Sequence, residues 1–447
     1  MRQKRAQFAT RLGVIATTVG SAVGLGNIWR FPYEAGMHGG GAFLIFYIGF
    51  IAILGIPVIC AEFVMGRASR RNIFDAFRML GGGRYWPLTG YIGIVASIFI
   101  LSFYSVVAGW TVEYFVQSAR GALAAMTEAE RHASFDTFAS GWRSVIWTIV
   151  FLAINAAIAI RGVRSGIERA SNVLMPLLFV ILVVFCINSL LLPQAAEGLR
   201  FLFSPDFSKI SPQMLIGAMG QAFFSLSIGL GTMMIYASYF SDSTPLVKSA
   251  TTTALLDTLV AVLAGVIIFP AVFTFGSQPT AGPKLVFEVL PAIFHQMPGG
   301  VLWSTGFFLL LMLASLTSTI SMSETCVAFC CEKFGLSRRK SVIACTAVAM
   351  TLGAVCALSF GPLSDVRIFG LTAFGLFDYT SSNILLPLGG MLISIFVGWR
   401  LDRGILLQQL STGSRLHPLL LRALVVCLRY VAPTCIGIVF LAGIGAI

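Results

Sequence analysis

Residues 21–32 read SAVGLGNIWRFP and carry an amide, Asn27, and a guanidinium, Arg30, inside an apolar segment. Both are expensive in hydrocarbon. Gly24 and Gly26 each cost about 1 kcal/mol against alanine in a helix interior, and Pro32 removes a backbone donor. A helix that starts as LGVIATTVG is therefore interrupted where it should be strongest. An interruption exposes two ends with opposite chemistry: free N–H groups that suit a carboxylate, and free carbonyls that suit a small cation. Unwound backbone is tolerated in a membrane where it lines such a site.

The second half of the chain repeats the device. AFFSLSIGLGTMMIYASY (222–239) places Ser225, Ser227, Gly229 and Gly231 in mid-segment. Paired glycine-interrupted segments in corresponding positions of two halves point to a binding site of the kind found in secondary transporters. Small residues also serve close helix packing, but that reading leaves Asn27 and Arg30 unexplained.

The elements that position these residues follow from composition. The chain has 447 residues, 57% of them hydrophobic and 11% charged, with a mean hydropathy of +0.89. A soluble protein carries about 25% charged residues. Apolar stretches of spanning length recur at roughly 11–37, 41–66, 87–119, 143–161, 170–192, 213–240, 247–276, 299–331, 341–359, 368–399 and 418–446. Stretches of about 20 residues match a ~30 Å hydrocarbon core. Long, uniformly apolar runs exclude a porin-like barrel. The expected fold is an all-α polytopic membrane protein of eleven transmembrane helices. It forms a single transporter domain over 1–447, with oppositely oriented five-helix halves at about 11–192 and 213–399 and an extra helix at 418–446.

The net charge of +12 is topological. Arg67, Arg70, Arg71, Arg78, Arg84, Arg161, Arg164, Arg169, Arg338 and Arg339 all fall on the side of the N-terminus, with few basic residues opposite. This asymmetry puts the N-terminus in the cytoplasm and, after eleven spans, the C-terminus outside. No nucleic-acid partner is implied, and no cleavage pattern marks a signal peptide. The nine cysteines all lie in or at the ends of apolar segments and read as packing residues, not as a metal site or disulfide framework. HExxH, GxSxG and phosphate-cradling motifs are absent, so no enzyme is expected. A channel would need a continuous polar pore.

The chain resembles the neurotransmitter:sodium symporter family in its bacterial amino-acid branch. The resemblance is carried by RLGVIATTVGSAVGLGNIWRFPYEAGMHGGGAF (11–43), AEFVMGR (61–67), GQAFFSLSIGLGTMMIYASY (220–239), ASLTSTIS (314–321) and FGLFDYTSSN (374–383). It implies the leucine-transporter type of fold, with the first and sixth helices broken at the membrane midplane. It also implies a plasma-membrane carrier, the inner membrane of a bacterium, that is a monomer or weak dimer and moves an amino acid with sodium by alternating access. The runner-up is a carrier of another small carboxylate, such as an osmolyte.

The resemblance implies a substrate carboxylate on the backbone around Ala22, Gly24, Leu25 and Gly26, assisted by Tyr104. Relatives that carry biogenic amines have an acidic residue where Gly24 stands. The implied pocket adds Ile100, Phe224, Ser225, Ser227, Leu230, Ser318 and Met322, positions mostly apolar and without a charge at the side-chain end. That favours an apolar or aromatic α-amino acid, since a buried unpaired charge is costly. Two sodium sites carry over. The first uses Ala22, Asn27, Ser225, Asp257 and the substrate carboxylate, which couples the two ligands. The second uses Gly20, Val23, Ala314, Thr317 and Ser318, an all-oxygen set suited to a hard cation. Asp257 with Ala261 one turn on supplies a fixed carboxylate and removes a chloride ligand, so transport is expected to be chloride-independent.

Implied gates pair Arg30 with Asp378 beside Tyr104 and Phe224, and Arg5 with Glu332 beside Phe8 and Tyr239. Phe8 departs from the family's usual tryptophan. GIERASNVLMP (166–176) matches a pattern associated with partial unwinding, or with a fixed kink at Pro176. Glu62 and Glu113 are membrane-segment carboxylates, functional candidates by default or else protonated structural acids hydrogen-bonded to broken-helix backbone; to Glu324 the sequence gives no role.

Overall fold

The computed structural model describes residues 6–81, 83–123, 126–276, 286–287, 290–411 and 417–446. Arg5, half of the inner gate, lies outside the described residues. The described chain is helical throughout and contains no strand, only the isolated bridges Gly40–Pro205 and Ile368–Leu371.

Helix α1 (Arg11–Ala22) starts after Thr10, whose hydroxyl accepts the Gly13 N–H at 2.9 Å, an N-cap for an otherwise orphan donor. It stops at Val23, whose backbone is extended. Helix α2 (Gly26–Met37) then departs at 53° to α1. It opens with a wide π-turn over Gly26–Arg30, and Pro32 falls in the first turn of the regular helix that follows, where proline is tolerated.

The next four long helices are α3 (Gly41–Ser69), α4 (Leu88–Ala119), α5 (Trp142–Ile160) and α6 (Val163–Leu190). Two short helices, α7 (Pro212–Ser225) and α8 (Thr232–Ala237), occupy the place of the sixth expected segment. Residues 226–231 between them turn without forming a helix. Then come α9 (Leu246–Thr274), α10 (Gly300–Lys333), α11 (Arg338–Leu358), α12 (Ala373–Arg400) and α13 (Pro418–Gly443). Among the described residues, nine helices are long and apolar enough to cross a membrane, or ten if α1 and α2 form one bent span.

Broad contact between α4 and α10, with α1 and α9 alongside, builds the interior. There Val23, Phe31, Tyr47, Asn27 and Asp257 are fully buried. Outward faces are apolar too: Val173, Val180 and Ile187 on α6 and Leu419 and Tyr430 at α13 are more than half exposed. A bundle apolar on both its inner and outer surfaces is built for lipid surroundings.

Candidate functional site

The interruption after α1 leaves backbone donors that neutral side chains satisfy. The Gly24 N–H donates to Asn27 Oδ1 at 3.0 Å, and the Leu25 N–H donates to the Tyr104 hydroxyl at 2.9 Å. A methyl group at Gly24 would sit 2.7 Å from Ser318 Oγ and 2.8 Å from the Tyr104 hydroxyl. One at Gly26 would lie 3.1 Å from the Phe224 ring. A side chain at Gly24 would force Ser318 or Tyr104 to shift, and one at Gly26 would press on the Phe224 ring, so both glycines suit the space quite apart from helix breaking.

The second interruption is held differently. Ser227, Gly229 and Gly231 all adopt left-handed backbone, at φ 52°, 92° and 72°. That conformation is routine for glycine and uncommon for serine. Glu62 of α3, fully buried, accepts the Gly229 N–H at 2.9 Å and the Met234 N–H at 3.2 Å. A carboxylate thus caps the start of α8, where the helix dipole favours negative charge. Hydrogen bonds also tie the two interruptions together. Ser227 Oγ donates to the Ser21 carbonyl at 3.3 Å, and Gln221 Nε2 donates to the Gly26 carbonyl at 2.9 Å.

Between the interruptions lies a cavity lined by Ala22, Gly24, Gly26, Ile100, Tyr104, Phe224, Ser225, Ser227, Leu230, Ser318, Met322 and Leu386. Leu25 is absent from the lining, its N–H being taken by Tyr104. Leu386 is the lining residue that sequence reasoning missed. Its segment, NILLPLGG, did signal close packing: a methyl group at Gly229 would lie 2.4 Å from the Leu386 carbonyl. The free volume is about 20 Å³, room for about one water molecule. In this conformation the site is a closed slot.

Beside the slot, Asn27 Nδ2 donates to Asp257 Oδ1 at 2.8 Å, to the Asp257 carbonyl at 3.0 Å and to Ser225 Oγ at 2.9 Å. Ser225 Oγ donates to Asp257 Oδ2 at 2.5 Å. The structure brings Asn27, Ser225 and Asp257 into one buried cluster in which the amide presents its nitrogen to the carboxylate. On the other side of α1, Ser318 Oγ donates to the Val23 carbonyl at 2.8 Å, while Thr317 Oγ1 bonds back to the Ala314 carbonyl at 3.0 Å. A methyl group at Gly20 would lie 3.2 Å from Thr317 Cβ, so Gly20, Val23, Ala314, Thr317 and Ser318 converge. These oxygens are the donor set a hard cation takes.

Arg30 lies near enough to Asp378 to interact with it electrostatically, without a direct ion pair between them among the described residues. Its Nε lies 3.6 Å from Glu34, and its guanidinium sits 4.4 Å from the centre of the Phe224 ring. Asp378 accepts from Ser382 Oγ at 3.0 Å. At the other end, Glu332 accepts from the Asn72 N–H at 3.0 Å and from Asn72 Nδ2 at 2.9 Å. Tyr239 donates to Glu324 at 2.6 Å, and Glu324 also binds both Nη atoms of Arg338, at 3.0 and 2.6 Å. Phe8 packs edge-on to Tyr236 and Tyr239. Glu168 of α6 accepts the Ala9 N–H at 2.9 Å and the Thr10 N–H at 3.1 Å, and Arg164 Nε donates to the Gln7 carbonyl at 2.6 Å. Glu113 is paired with Arg143. Glu113 also accepts from Gln117 Nε2, one turn on, at 2.6 Å, whereas the partners of Glu62 lie in a segment distant in sequence that no local pattern announces.

The model of the family described as "Sodium:neurotransmitter symporter family" matches residues 5–134 and 132–447. The chain belongs to that family. It is 40% identical over 444 residues to the uncharacterised sodium-dependent transporter YhdH of Bacillus subtilis, covering 99% of this chain and 98% of that one. It is 37% identical over 409 residues to an uncharacterised sodium-dependent transporter of Haemophilus influenzae, covering 89% and 90%. Among solved structures, MhsT in complex with L-phenylalanine superposes with a TM-score of 0.91 at 41% identity, covering 98% of this chain and all of that one. The chain is thus a bacterial-type, sodium-dependent membrane transporter of this family.

Proposed function

We propose that this transporter is a chloride-independent sodium symporter for an apolar or aromatic α-amino acid, working by alternating access. The observation that carries the reading is the slot itself. At its backbone end the Gly24 and Leu25 N–H groups are held by Asn27 Oδ1 and the Tyr104 hydroxyl, neutral caps that a carboxylate could replace, while Ile100, Phe224, Leu230, Met322 and Leu386 form an apolar far end. A zwitterion with an apolar side chain matches both ends, and L-phenylalanine is what the structural relative MhsT holds.

The first sodium ion would bind among Ala22, Asn27, Ser225, Asp257 and the substrate carboxylate; the second among Gly20, Val23, Ala314, Thr317 and Ser318. A cation at the first site needs the Asn27 oxygen, so the amide must turn over. Turning it withdraws Oδ1 from the Gly24 N–H and frees that donor for the substrate. Sodium arrival and readiness for a carboxylate then become one event, which is a coupling free energy between adjacent sites. Asp257 would supply the negative charge that makes an external anion unnecessary.

The architecture proposed with this is a single domain of eleven spans, including two broken ones (α1 with α2, α7 with α8) in oppositely oriented halves. The N-terminus would be cytoplasmic and the C-terminus outside a bacterial inner membrane, with the carrier a monomer or weak dimer. Arg30 and Asp378 would close the outer gate in another state of the cycle, and Arg5 with Glu332 the inner one. No enzymatic step is proposed.

Uptake into proteoliposomes tests the reading. An inward sodium gradient should drive accumulation of phenylalanine, leucine or tryptophan equally well in gluconate and chloride. Glutamate or lysine accumulating better than these, or strict chloride dependence, would overturn it. Asp257→Asn should lose uptake or acquire a chloride requirement.

A further inference from the structure

The start of α6 has two faces, and only one is used by the contacts described so far. Arg164 and Glu168, four residues apart, hold residues 7–10. On another side, Arg161 in the turn before α6 and Ser165, Arg169 and Val173 on it are all exposed. That face borders a cleft of about 250 Å³ whose other walls include Ile158 of α5 and Leu174. The cleft exists because α5 and α6 meet at its floor: a methyl group at Gly166 would sit 2.2 Å from the Ile158 carbonyl.

We propose that this cleft binds the phosphate of an anionic phospholipid in the leaflet on the N-terminal side. Arg161 and Arg169 stand at its mouth, and neither guanidinium has a hydrogen-bond or ion-pair partner among the described residues. The nearby carboxylate of Glu168 does not neutralise them. It is almost fully buried and engaged by the Ala9 and Thr10 N–H groups. Guanidinium groups suit phosphate because their fork of donors matches its oxygens. Above the arginines the wall turns apolar: Val173 is 61% exposed, Leu177 40% and Val180 60%, a stripe running up the lipid-facing side of α6. A ligand with an anionic head and a hydrocarbon tail satisfies both halves, and basic clefts between transmembrane helices take such headgroups. Free phosphate would leave the apolar stripe uncovered. The proposal rests on the membrane-embedded reading but not on the substrate or on sodium coupling. A lipid seated there grips the opposite face of the turn that clasps residues 7–10, so its binding should steady the N-terminal segment.

The test is native mass spectrometry of the full-length protein released from detergent micelles doped with dioleoyl phosphatidylglycerol or dioleoyl phosphatidylcholine at equal concentration. The wild type should retain phosphatidylglycerol in preference to phosphatidylcholine by roughly 25-fold, about fivefold per arginine. Arg161→Gln/Arg169→Gln should bring retention down to the phosphatidylcholine level, and Arg161→Lys/Arg169→Lys should keep part of it. Arg120→Gln, at the opposite end of the bundle, should change nothing. Single glutamine variants replace the double one if its unfolding midpoint shows that it does not fold. Hydrogen exchange at residues 6–13 should slow with phosphatidylglycerol in the wild type and not in Arg161→Gln/Arg169→Gln. Undiminished phosphatidylglycerol retention in the glutamine variants, equal retention of the two lipids by the wild type, or displacement of the lipid by glycerol 3-phosphate would overturn the proposal. None of these readouts involves sodium or an amino acid, so the result stands apart from the transport reading.

Discussion

The two helix interruptions meet the same requirement by opposite means. After α1, the open N–H groups are taken by neutral oxygens, Asn27 Oδ1 and the Tyr104 hydroxyl. Between α7 and α8, they are taken by the buried carboxylate of Glu62, with three left-handed residues fixing the turn. Neutral hydrogen bonds contribute about 0.5–1.5 kcal/mol net, and those to charged groups about 1.5–3 kcal/mol. A ligand carboxylate can therefore displace the caps of the first interruption at low cost but not those of the second. The difference fits the proposed function, with exchange of a ligand at the first interruption and permanence at the second.

Breaking the permanent side should cost most. Glu62→Gln leaves one of two buried N–H groups facing an amide nitrogen, a loss of about 1–3 kcal/mol. The thermal unfolding midpoint should drop clearly, and uptake should fail with it. An unchanged midpoint would erase the contrast between the two interruptions. On the exchanging side, Gly24→Ala forces Ser318 or Tyr104 to move, and overpacking of this kind costs about 1–3 kcal/mol. That cost should fall on ligand affinity, read by titration calorimetry as a weakening of at least roughly tenfold.

Tyr104→Phe leaves the buried Leu25 N–H without its acceptor, a loss of about 1–3 kcal/mol. The unfolding midpoint of the ligand-free protein should fall, and bound substrate, whose carboxylate can take that N–H, should restore most of the loss. A drop that substrate does not restore would move Tyr104 to the permanent class. Arg30→Ala should disturb the folded protein least: its side chain is 36% exposed and its ion pair with Glu34 is 3.6 Å long. Such pairs contribute about 0–1 kcal/mol. Stopped uptake in a protein of wild-type stability is the outcome that fits a gate, and unchanged uptake would remove Arg30 from that role.

Much of the site was legible because its determinants are local. Gly24, Gly26, Asn27 and Arg30 sit within seven residues, and Ser225 to Gly231 repeat the pattern, so incompatibility with a plain membrane helix shows in the string itself. The long apolar runs of α3 to α6 and α9 to α13 follow from composition in the same way. What escaped depends on partners far apart in sequence. Glu62 meets residues 229 and 234, Glu324 meets Arg338 and Tyr239, and Leu386 joins a slot whose other walls lie at least 64 residues away. The orientation of the Asn27 amide escaped for another reason. Its oxygen and nitrogen can trade places with almost no change in shape, so only the surrounding donors and acceptors decide it. The sixth segment was anticipated as one interrupted span, yet its six-residue turn leaves α8 only six residues long.

The free volume of about 20 Å³ in the slot has a kinetic consequence. No amino-acid side chain enters a space of one water molecule, so the protein must first open. Encounter and capture are then separate steps, and the conformational change that binding requires lowers the association rate. In rapid mixing, the observed rate should climb with substrate concentration at first and then level off. The plateau is the opening rate of the empty carrier, and it should be the same for phenylalanine, leucine and tryptophan.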